Sequence, residues 1–391
     1  MSCKTVPNMA GFITAQAGEL AHFQGPPGIG KTSVMRFWAE RIAHRFYPLI
    51  GSTMEPQDAS GFPFANPEKK WVDMLPSRRF AELTDGSWVL LLDEITSVPY
   101  PVQAPMLGII DHRAIGDVKL SPNLLMTLAS NPPSQAVDGR PLPPPLANRM
   151  GHFRWEFPEE AWLKGMFADG KFPDPEIPIL PRDWRKHTAF ARQRIGTFHK
   201  RFPGNLCLGG SGIPEDPEKA AGAWPSPRSW FNAATVYAAC YALDIEEDIR
   251  HIAVKAFVGE QHGESFAHWE RNLDLPDVEP HIDAAIAWRK GGKKGKLNVP
   301  DFPAEADKVL AYYGSLVNCV KTSKLDKDGK TPDERWLAAT DLLDFQLANW
   351  SELVLLSGQP LFSPFPGTKL LSQLSPTFID RIAKIFEGSL C

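Results

Sequence analysis

The sequence GPPGIGKT, at residues 25–32, satisfies the pattern G-x-x-x-x-G-K-[ST]. An apolar segment at residues 20–23 predicts a buried strand before it, and residues 31–46 are expected to form a helix after it. Glycines allow backbone N–H groups to turn toward a phosphate, and the N-terminus of a helix adds a partial positive charge. The order of strand, loop and helix therefore predicts a loop that binds nucleotide phosphates.

This loop also suggests roles for individual side chains. Lys31 is expected to reach the β- and γ-phosphates of ATP, and the Thr32 hydroxyl is expected to bind Mg²⁺. The residues expected to surround the phosphates are Gly25, Pro26, Pro27, Gly28, Ile29, Gly30, Lys31, Thr32 and Ser33.

A second motif, VLLLDE, lies at residues 89–94. The apolar run at residues 88–92 is typical of a central parallel strand, whose C-terminal edge faces a site. Asp93 is expected to hold Mg²⁺, and Glu94 to orient and deprotonate the attacking water. Together with the phosphate loop, the motif predicts ATP hydrolysis.

A further apolar strand is predicted at residues 124–129, and Asn131 follows it. A carboxamide at this position could hydrogen-bond both the γ-phosphate and the attacking water, although Asn before two prolines is also typical of a turn. Strands that alternate with helical segments predict a doubly wound α/β domain over roughly the first 160 residues. Helices are predicted at residues 229–243, 246–258, 282–289, 305–320, 332–356 and 376–386.

The chain resembles the MoxR-like AAA+ ATPases over roughly residues 10–270. The segments that carry the resemblance are DEITSVPYPVQAPML (93–107), DHRAIGDVKLSPNLLMTLASNP (111–132), GRPLPPPLANRM (139–150) and WPSPRSW (224–230). The resemblance implies an AAA+ core with a parallel sheet (1–160), connecting helices with a loop insertion (161–223), a helical lid (224–279) and a C-terminal helical region (280–391).

The resemblance also implies site residues and partners. Arg149 matches the arginine finger, which reaches the γ-phosphate in a neighbouring subunit, and Arg228 matches the second sensor on the lid. Met150 replaces the usual Phe after the finger, at a packed position. A homo-oligomeric ring, expected to be a hexamer, would remodel or activate a protein client, with a von Willebrand factor A-type protein as a partner.

The segment at residues 55–71 resembles the substrate-facing insert of the same family. Phe62, Phe64 and Trp71 are then either pore-facing apolar contacts or part of the core. The two readings make opposite predictions about the exposure of these side chains.

Composition limits the alternatives. A net charge of −4 and five dispersed cysteines favour neither a nucleic-acid partner nor a disulfide framework, and we expect a cytoplasmic protein without a membrane segment. The basic run RKGGKKGK (289–296) keeps open a nucleic-acid motor or restriction-type NTPase. A ring that binds nucleotide with negligible turnover is the non-enzymatic alternative.

Overall fold

The computed structural model describes residues 6–135, 140–209, 212–273, 275–276, 278–293, 297, 299–300, 302, 306–320, 333–345 and 379–380. The chain divides into two compact units. The first comprises Met1–Lys186 and Gly204–Ser265, and the second comprises His187–Pro203 and Phe266–Cys391.

The strands of the described residues all lie in the first unit. They are β1 (Leu20–Gln24), β2 (Arg45–Ile50), β3 (Phe62–Ala65), β4 (Val72–Leu75), β5 (Trp88–Asp93), β6 (Ala114–Ile115), β7 (Val118–Lys119), β8 (Leu124–Ser130) and β9 (Met150–Arg154). Five of them form a parallel sheet in the order β2–β5–β8–β1–β9, and β3–β4 and β6–β7 form two hairpins.

Helices lie before, between and after the strands in the chain. They are α1 (Val6–Gln16), α2 (Lys31–Arg41), α3 (Pro56–Ser60), α4 (Arg78–Ala81), α5 (Tyr100–His112), α6 (Pro144–Ala147), α7 (Glu159–Phe167), α8 (Thr188–Arg201), α9 (Pro217–Ala220), α10 (Pro227–Ala242), α11 (Glu247–Val258), α12 (Glu260–Arg271), α13 (Glu279–Lys290) and α14 (Ala306–Val320). The predicted α/β class, with a parallel sheet and a C-terminal helical region, is confirmed.

The order of the central strands determines where the site forms. β8 lies between β1 and β5, although it follows both in the chain. Because parallel strands have their carboxyl ends at one edge, the residues that follow β1, β5 and β8 meet there. β5 and β8 are almost entirely buried apolar strands, as their sequences predict.

The helix predicted at residues 31–46 is shorter than expected. α2 ends at Arg41, and the next strand begins at Arg45, which lies opposite Trp88 of β5. Ala43 has a φ of 56° in the turn between them. The predicted C-terminal end of the helix is wrong because Arg45 and Phe46 pair with β5 as part of a strand.

Aromatic packing holds β1 in place. The ring of Phe12 on α1 lies 5.3 Å from that of Phe23 and 5.1 Å from that of Trp38. A Cβ at Gly11 would lie 2.3 Å from the Phe23 ring, so only glycine allows this approach. Met150, at the start of β9, is buried, in agreement with its predicted packed position.

The β3–β4 hairpin is exposed. Phe62, Phe64 and Trp71 are 47%, 58% and 55% accessible. The alternative that these side chains are part of the core is therefore wrong. They form an apolar surface on a hairpin that pairs only within itself among the described strands.

α10 and α11 agree closely with the helices predicted at residues 229–243 and 246–258. Ser226 caps α10: its hydroxyl accepts from the Ser229 N–H, and the Ser229 hydroxyl accepts from the Ser226 N–H. The helix begins two residues earlier than predicted, at Pro227. Proline is favoured at the first helical position because its fixed φ suits a helix and its missing N–H is not needed there.

The second unit is helical in its described part. Its core includes Tyr312, Tyr313, Leu316 and Trp336, all fully buried. Residues 334–345 are helical within the predicted helix 332–356, whereas most of the helix predicted at 376–386 lies outside the described residues. In the described part of the chain, no helix combines the length and apolar character needed to span a membrane.

The basic run is mostly paired within this unit. Arg289 and Lys293 both form ion pairs with Asp341, and Lys290 pairs with Glu334 at 2.8 Å. Lys294 and Lys296 lie outside the described residues.

Candidate nucleotide site

The loop between β1 and α2 has the backbone that phosphate binding requires. Gly28 and Gly30 have φ values of 78° and 84°, a conformation in which other L-residues are strained. Gly30 is the N-cap of α2, and no side chain caps this helix end. The first N–H groups of α2 therefore face outward, where an anion can accept from them.

Lys31 lies over this loop. Its Nζ donates to the carbonyls of Gly25 (2.7 Å) and Pro26 (2.9 Å) and to Asn131 Oδ1 (3.1 Å). Burial lowers the pKa of Lys31 from its usual value, and the charge of Asp93 partly opposes this effect. A cation in this position is held by neutral oxygens that a phosphate could replace.

The end of β5 meets the start of α2. The Thr32 hydroxyl donates to Asp93 Oδ2 at 3.1 Å, and Asp93 Oδ1 accepts from the Glu94 N–H at 2.9 Å. The structure thus brings together the phosphate loop, Asp93 and Asn131, as expected from the two motifs and from the strand predicted before Asn131.

These groups suit Mg²⁺ in type and number. Mg²⁺ prefers oxygen ligands and usually takes one or two from protein carboxylates, the others coming from phosphates and water. The Thr32 hydroxyl and the Asp93 carboxylate offer such oxygens side by side. Among the described residues, no group of three or more His, Cys, Asp or Glu side chains forms an all-protein metal site.

Glu94 follows in an unusual backbone conformation. Its φ of 55° is in the left-handed region, which is strained for a residue with a side chain. Its Oε2 accepts a hydrogen bond of 2.6 Å from the Ser52 hydroxyl. Ser52 was not identified from the sequence, because it is 42 residues away and becomes a neighbour only through the pairing of β2 with β5.

Arg149 is engaged elsewhere in the chain. Its Nε and Nη2 donate to the two carboxylate oxygens of Asp111 at 2.5 and 2.6 Å, and its Nη1 donates to the Pro145 carbonyl. Among the residues that the structure describes, no hydrogen bond or ion pair joins Arg149 to Asp93. Asp111, near the end of α5, was not identified from the sequence, because ion-pair partners carry no local pattern.

Arg228 is the second residue of α10 and is exposed. It forms no hydrogen bond or ion pair with any residue that the structure describes. The start of α10 is nevertheless connected to the residue before Arg149. Asn148 donates to the Trp224 carbonyl at 3.1 Å and accepts from the Ser226 hydroxyl at 2.7 Å.

A cavity of about 630 Å³ lies beside the phosphate loop and is mostly apolar. Its volume is in the usual range for small-molecule sites. It is lined by Gly28, Ile29, Gly30, Ser33, Val34, Phe37, Phe157, Pro158, Ala161, Trp162, Phe172, Pro173, Asp174 and Pro175.

Two histidines near the site were also not identified from the sequence. His22 on β1 and His152 on β9 lie opposite each other, with their Nδ1 atoms 3.2 Å apart. Burial lowers the pKa of His22 well below its usual value and that of His152 to about 4. Both imidazoles are therefore neutral at pH 7 in the folded protein.

This neutrality predicts how stability depends on pH. Between pH 6.5 and 4 the unfolded chain binds a proton at His152 while the folded chain does not, and His22 acts in the same direction, so stability falls as the pH falls. From pH 7.5 to pH 5, His152 alone should lower the free energy of unfolding by about 2 kcal/mol. The measurement is urea unfolding of the wild type and of His22→Leu/His152→Leu at both pH values.

The wild type and the double variant should differ in how much their free energy of unfolding changes with pH, and this difference measures the contribution of the two histidines. Glu19, with a pKa raised by burial to about 7, acts in the opposite direction, but it is present in both. Equal loss of stability in the two proteins on acidification would contradict the assignment of neutral histidines.

A family model matches the part of the chain that contains the site. Residues 22–150 match the AAA domain of the dynein-related subfamily. Among solved structures, a candidate ATPase from Cytophaga hutchinsonii is 19% identical, with 64% of this chain and 80% of that chain covered and a TM-score of 0.43. The comparison with curated proteins gives no match.

Proposed function

For this P-loop ATPase with an AAA domain, we propose that subunits assemble into a ring, hydrolyse ATP at their interfaces and remodel a protein client. The observation that supports the catalytic part most directly is the 3.1 Å contact between Thr32 and Asp93. This contact joins the phosphate loop to the end of β5. Residues of both segments can therefore contact the same triphosphate and its metal ion.

The loop residues bind and orient the phosphates in this proposal. Lys31 exchanges the carbonyls of Gly25 and Pro26 for β- and γ-phosphate oxygens, since a charged acceptor binds an ammonium more strongly than a neutral one. Thr32 and Asp93 hold Mg²⁺, which when bound neutralises phosphate charge. Asn131 contacts the γ-phosphate and the attacking water.

Glu94 is the proposed general base. Its carboxylate takes a proton from water as the water oxygen bonds to the γ-phosphorus. The bond from the γ-phosphorus to the bridging oxygen breaks, and ADP leaves with that electron pair. The hydrogen bond from Ser52 orients the carboxylate beforehand.

The apolar cavity is the proposed site of the nucleobase. It adjoins Gly28, Gly30 and Ser33 of the phosphate loop, and its aromatic walls at Phe37 and Trp162 can pack against a base. The sequence contains no guanine-reading motif, which favours ATP.

The ring proposal gives a role to each of two arginines. Arg149 serves as the finger for the neighbouring subunit, and Arg228, exposed on the lid, contacts ATP in its own subunit. Both roles come from the resemblance to the MoxR-like ATPases, as do the hexameric ring and a von Willebrand factor A-type partner. The exposed Phe62, Phe64 and Trp71 are the proposed contacts with the protein client.

The ring proposal predicts that turnover depends on protein concentration. ATPase rate per subunit should rise as dilute subunits assemble and then reach a plateau, because each site needs a finger from its neighbour. Steady-state ADP release and sedimentation velocity, measured over the same concentration series, test this. A rate per subunit that stays constant down to the monomer would rule out the ring.

A nucleic-acid motor is the main alternative, and the ion pairs of Arg289, Lys290 and Lys293 count against it. These pairs reduce the free positive charge that phosphate binding requires. Filter binding to DNA at low and moderate salt distinguishes the two functions, because a motor should bind DNA in a manner that weakens steeply with salt.

A further inference from the structure

A chain of hydrogen bonds crosses three adjacent strands of the sheet. His22 Nε2 lies 2.8 Å from the Ser130 hydroxyl, His22 Nδ1 lies 3.2 Å from His152 Nδ1, and His152 Nε2 lies 2.9 Å from the Ala147 carbonyl. Ser130 ends β8, the histidines lie on β1 and β9, and Ala147 ends α6. We call these four groups the histidine chain.

The donor and the acceptor of each hydrogen bond in the histidine chain can be assigned from the chemistry of its groups. The Ala147 carbonyl can only accept, so His152 Nε2 carries the proton and, in a neutral ring, His152 Nδ1 accepts. His22 Nδ1 must then donate to it, which leaves His22 Nε2 to accept from Ser130. Every polar group is satisfied in this arrangement, and burial lowers the pKa of both histidines in favour of it.

The two ends of the histidine chain adjoin two proposed site residues. Ser130 directly precedes Asn131, whose Oδ1 binds Lys31 at 3.1 Å. Ala147 is two residues before Arg149, within the same turn, because the Arg149 N–H donates to the Leu146 carbonyl at 3.1 Å. A displacement of Asn131 is therefore connected to the backbone that carries Arg149 by three consecutive hydrogen bonds.

We propose that His22 and His152 are positioning residues that couple the γ-phosphate contact at Asn131 to the position of the finger Arg149. The coupling rests on the proposed roles of these two residues. It would make the finger that a subunit offers its neighbour depend on the nucleotide in its own site. ATP hydrolysis around the ring would then be cooperative.

The test is the double variant His22→Leu/His152→Leu. Replacing both partners by apolar side chains of similar size avoids an unpaired imidazole, so the sheet should remain folded. We expect kcat to fall by about three- to thirtyfold, as for other residues that couple two sites. The affinity for a fluorescent ATP analogue should be unchanged, and the Hill coefficient for ATP should fall to about 1.

Thr127→Val is the matched control. It removes another buried hydroxyl from β8, one that bonds to Leu90 and Met35 instead of the histidine chain. A merely structural role for the histidines predicts that the control and the double variant behave alike. Wild-type kcat and cooperativity in a folded double variant would overturn the proposal.

Ser130 provides a second route if the double variant does not fold. Ser130→Thr keeps the hydroxyl that donates to His22, whereas Ser130→Ala removes it. We expect the threonine variant to retain cooperativity and the alanine variant to lose it. Equal cooperativity in the two variants would contradict the coupling.

The same measurements in an Arg149→Ala background separate this proposal from the proposed function. If the histidine chain acts through the finger, the leucine substitutions should lower kcat no further in that background. An additive loss would overturn the coupling but leave the finger intact. If Arg149→Ala alone leaves turnover unchanged, the finger itself is wrong, and the coupling is overturned with it.

Discussion

Glu94→Gln is expected to lower kcat for ATP hydrolysis by at least about a hundredfold and to leave ATP affinity nearly unchanged. The amide has almost the same shape as the carboxylate, and its oxygen can still accept from the Ser52 hydroxyl. It cannot accept the proton of the attacking water. Since Asp93, Thr32 and Lys31 remain in place, the variant should hold ATP without consuming it.

Steady-state ADP release and equilibrium binding of a fluorescent ATP analogue measure the two effects separately. Glu82→Gln, which neutralises an exposed glutamate outside the proposed site, is the control and should keep wild-type turnover. Wild-type turnover in Glu94→Gln would show that another group is the base. The trapped variant is also suitable bait for the protein client, whose complex should persist while ATP is bound.

Arg149→Ala is expected to reduce turnover by about a thousandfold, in the range found for arginine fingers. Lys31→Ala should be equally inactive because it loses its contacts with the phosphates. Mixing the two should restore activity. A site forms wherever an Arg149→Ala subunit supplies the phosphate loop and a Lys31→Ala neighbour supplies the finger.

The size of this recovery can be estimated. In a closed ring of randomly mixed subunits in equal amounts, about a quarter of the head-to-tail interfaces combine an intact loop with an intact finger. ATPase activity of the reassembled mixture should therefore approach about a quarter of the wild-type rate. Arg149→Ala mixed with Lys31→Ala/Arg149→Ala has no intact finger and should stay inactive.

We expect Arg149→Ala to have little effect on the stability of the fold. The substitution leaves the Asp111 carboxylate without its ion pair, but that side chain is 33% accessible and can be hydrated. The Tm of the variant should therefore stay close to that of the wild type. A mixture that forms rings without regaining activity would show that Arg149 does not act on a neighbouring site.

Local patterns were sufficient for much of this molecule. The glycines and Lys31 of residues 25–32, the apolar run that ends in Asp93, and the strand before Asn131 are each recognisable from residue type and spacing. These patterns reflect interactions between residues close in the chain, such as backbone conformation and strand or helix periodicity. The phosphate loop, the central strands and the two helices α10 and α11 therefore follow from the sequence.

The tertiary structure alone decided the strand order and register through which these pieces meet. The insertion of β8 between β1 and β5 brings Asn131 to Lys31, and the pairing of β2 with β5 brings Ser52 to Glu94. His22 meets His152 across 130 residues for the same reason. Such contacts depend on strand order and register, which arise from packing of the whole sheet and leave no periodic trace in the chain.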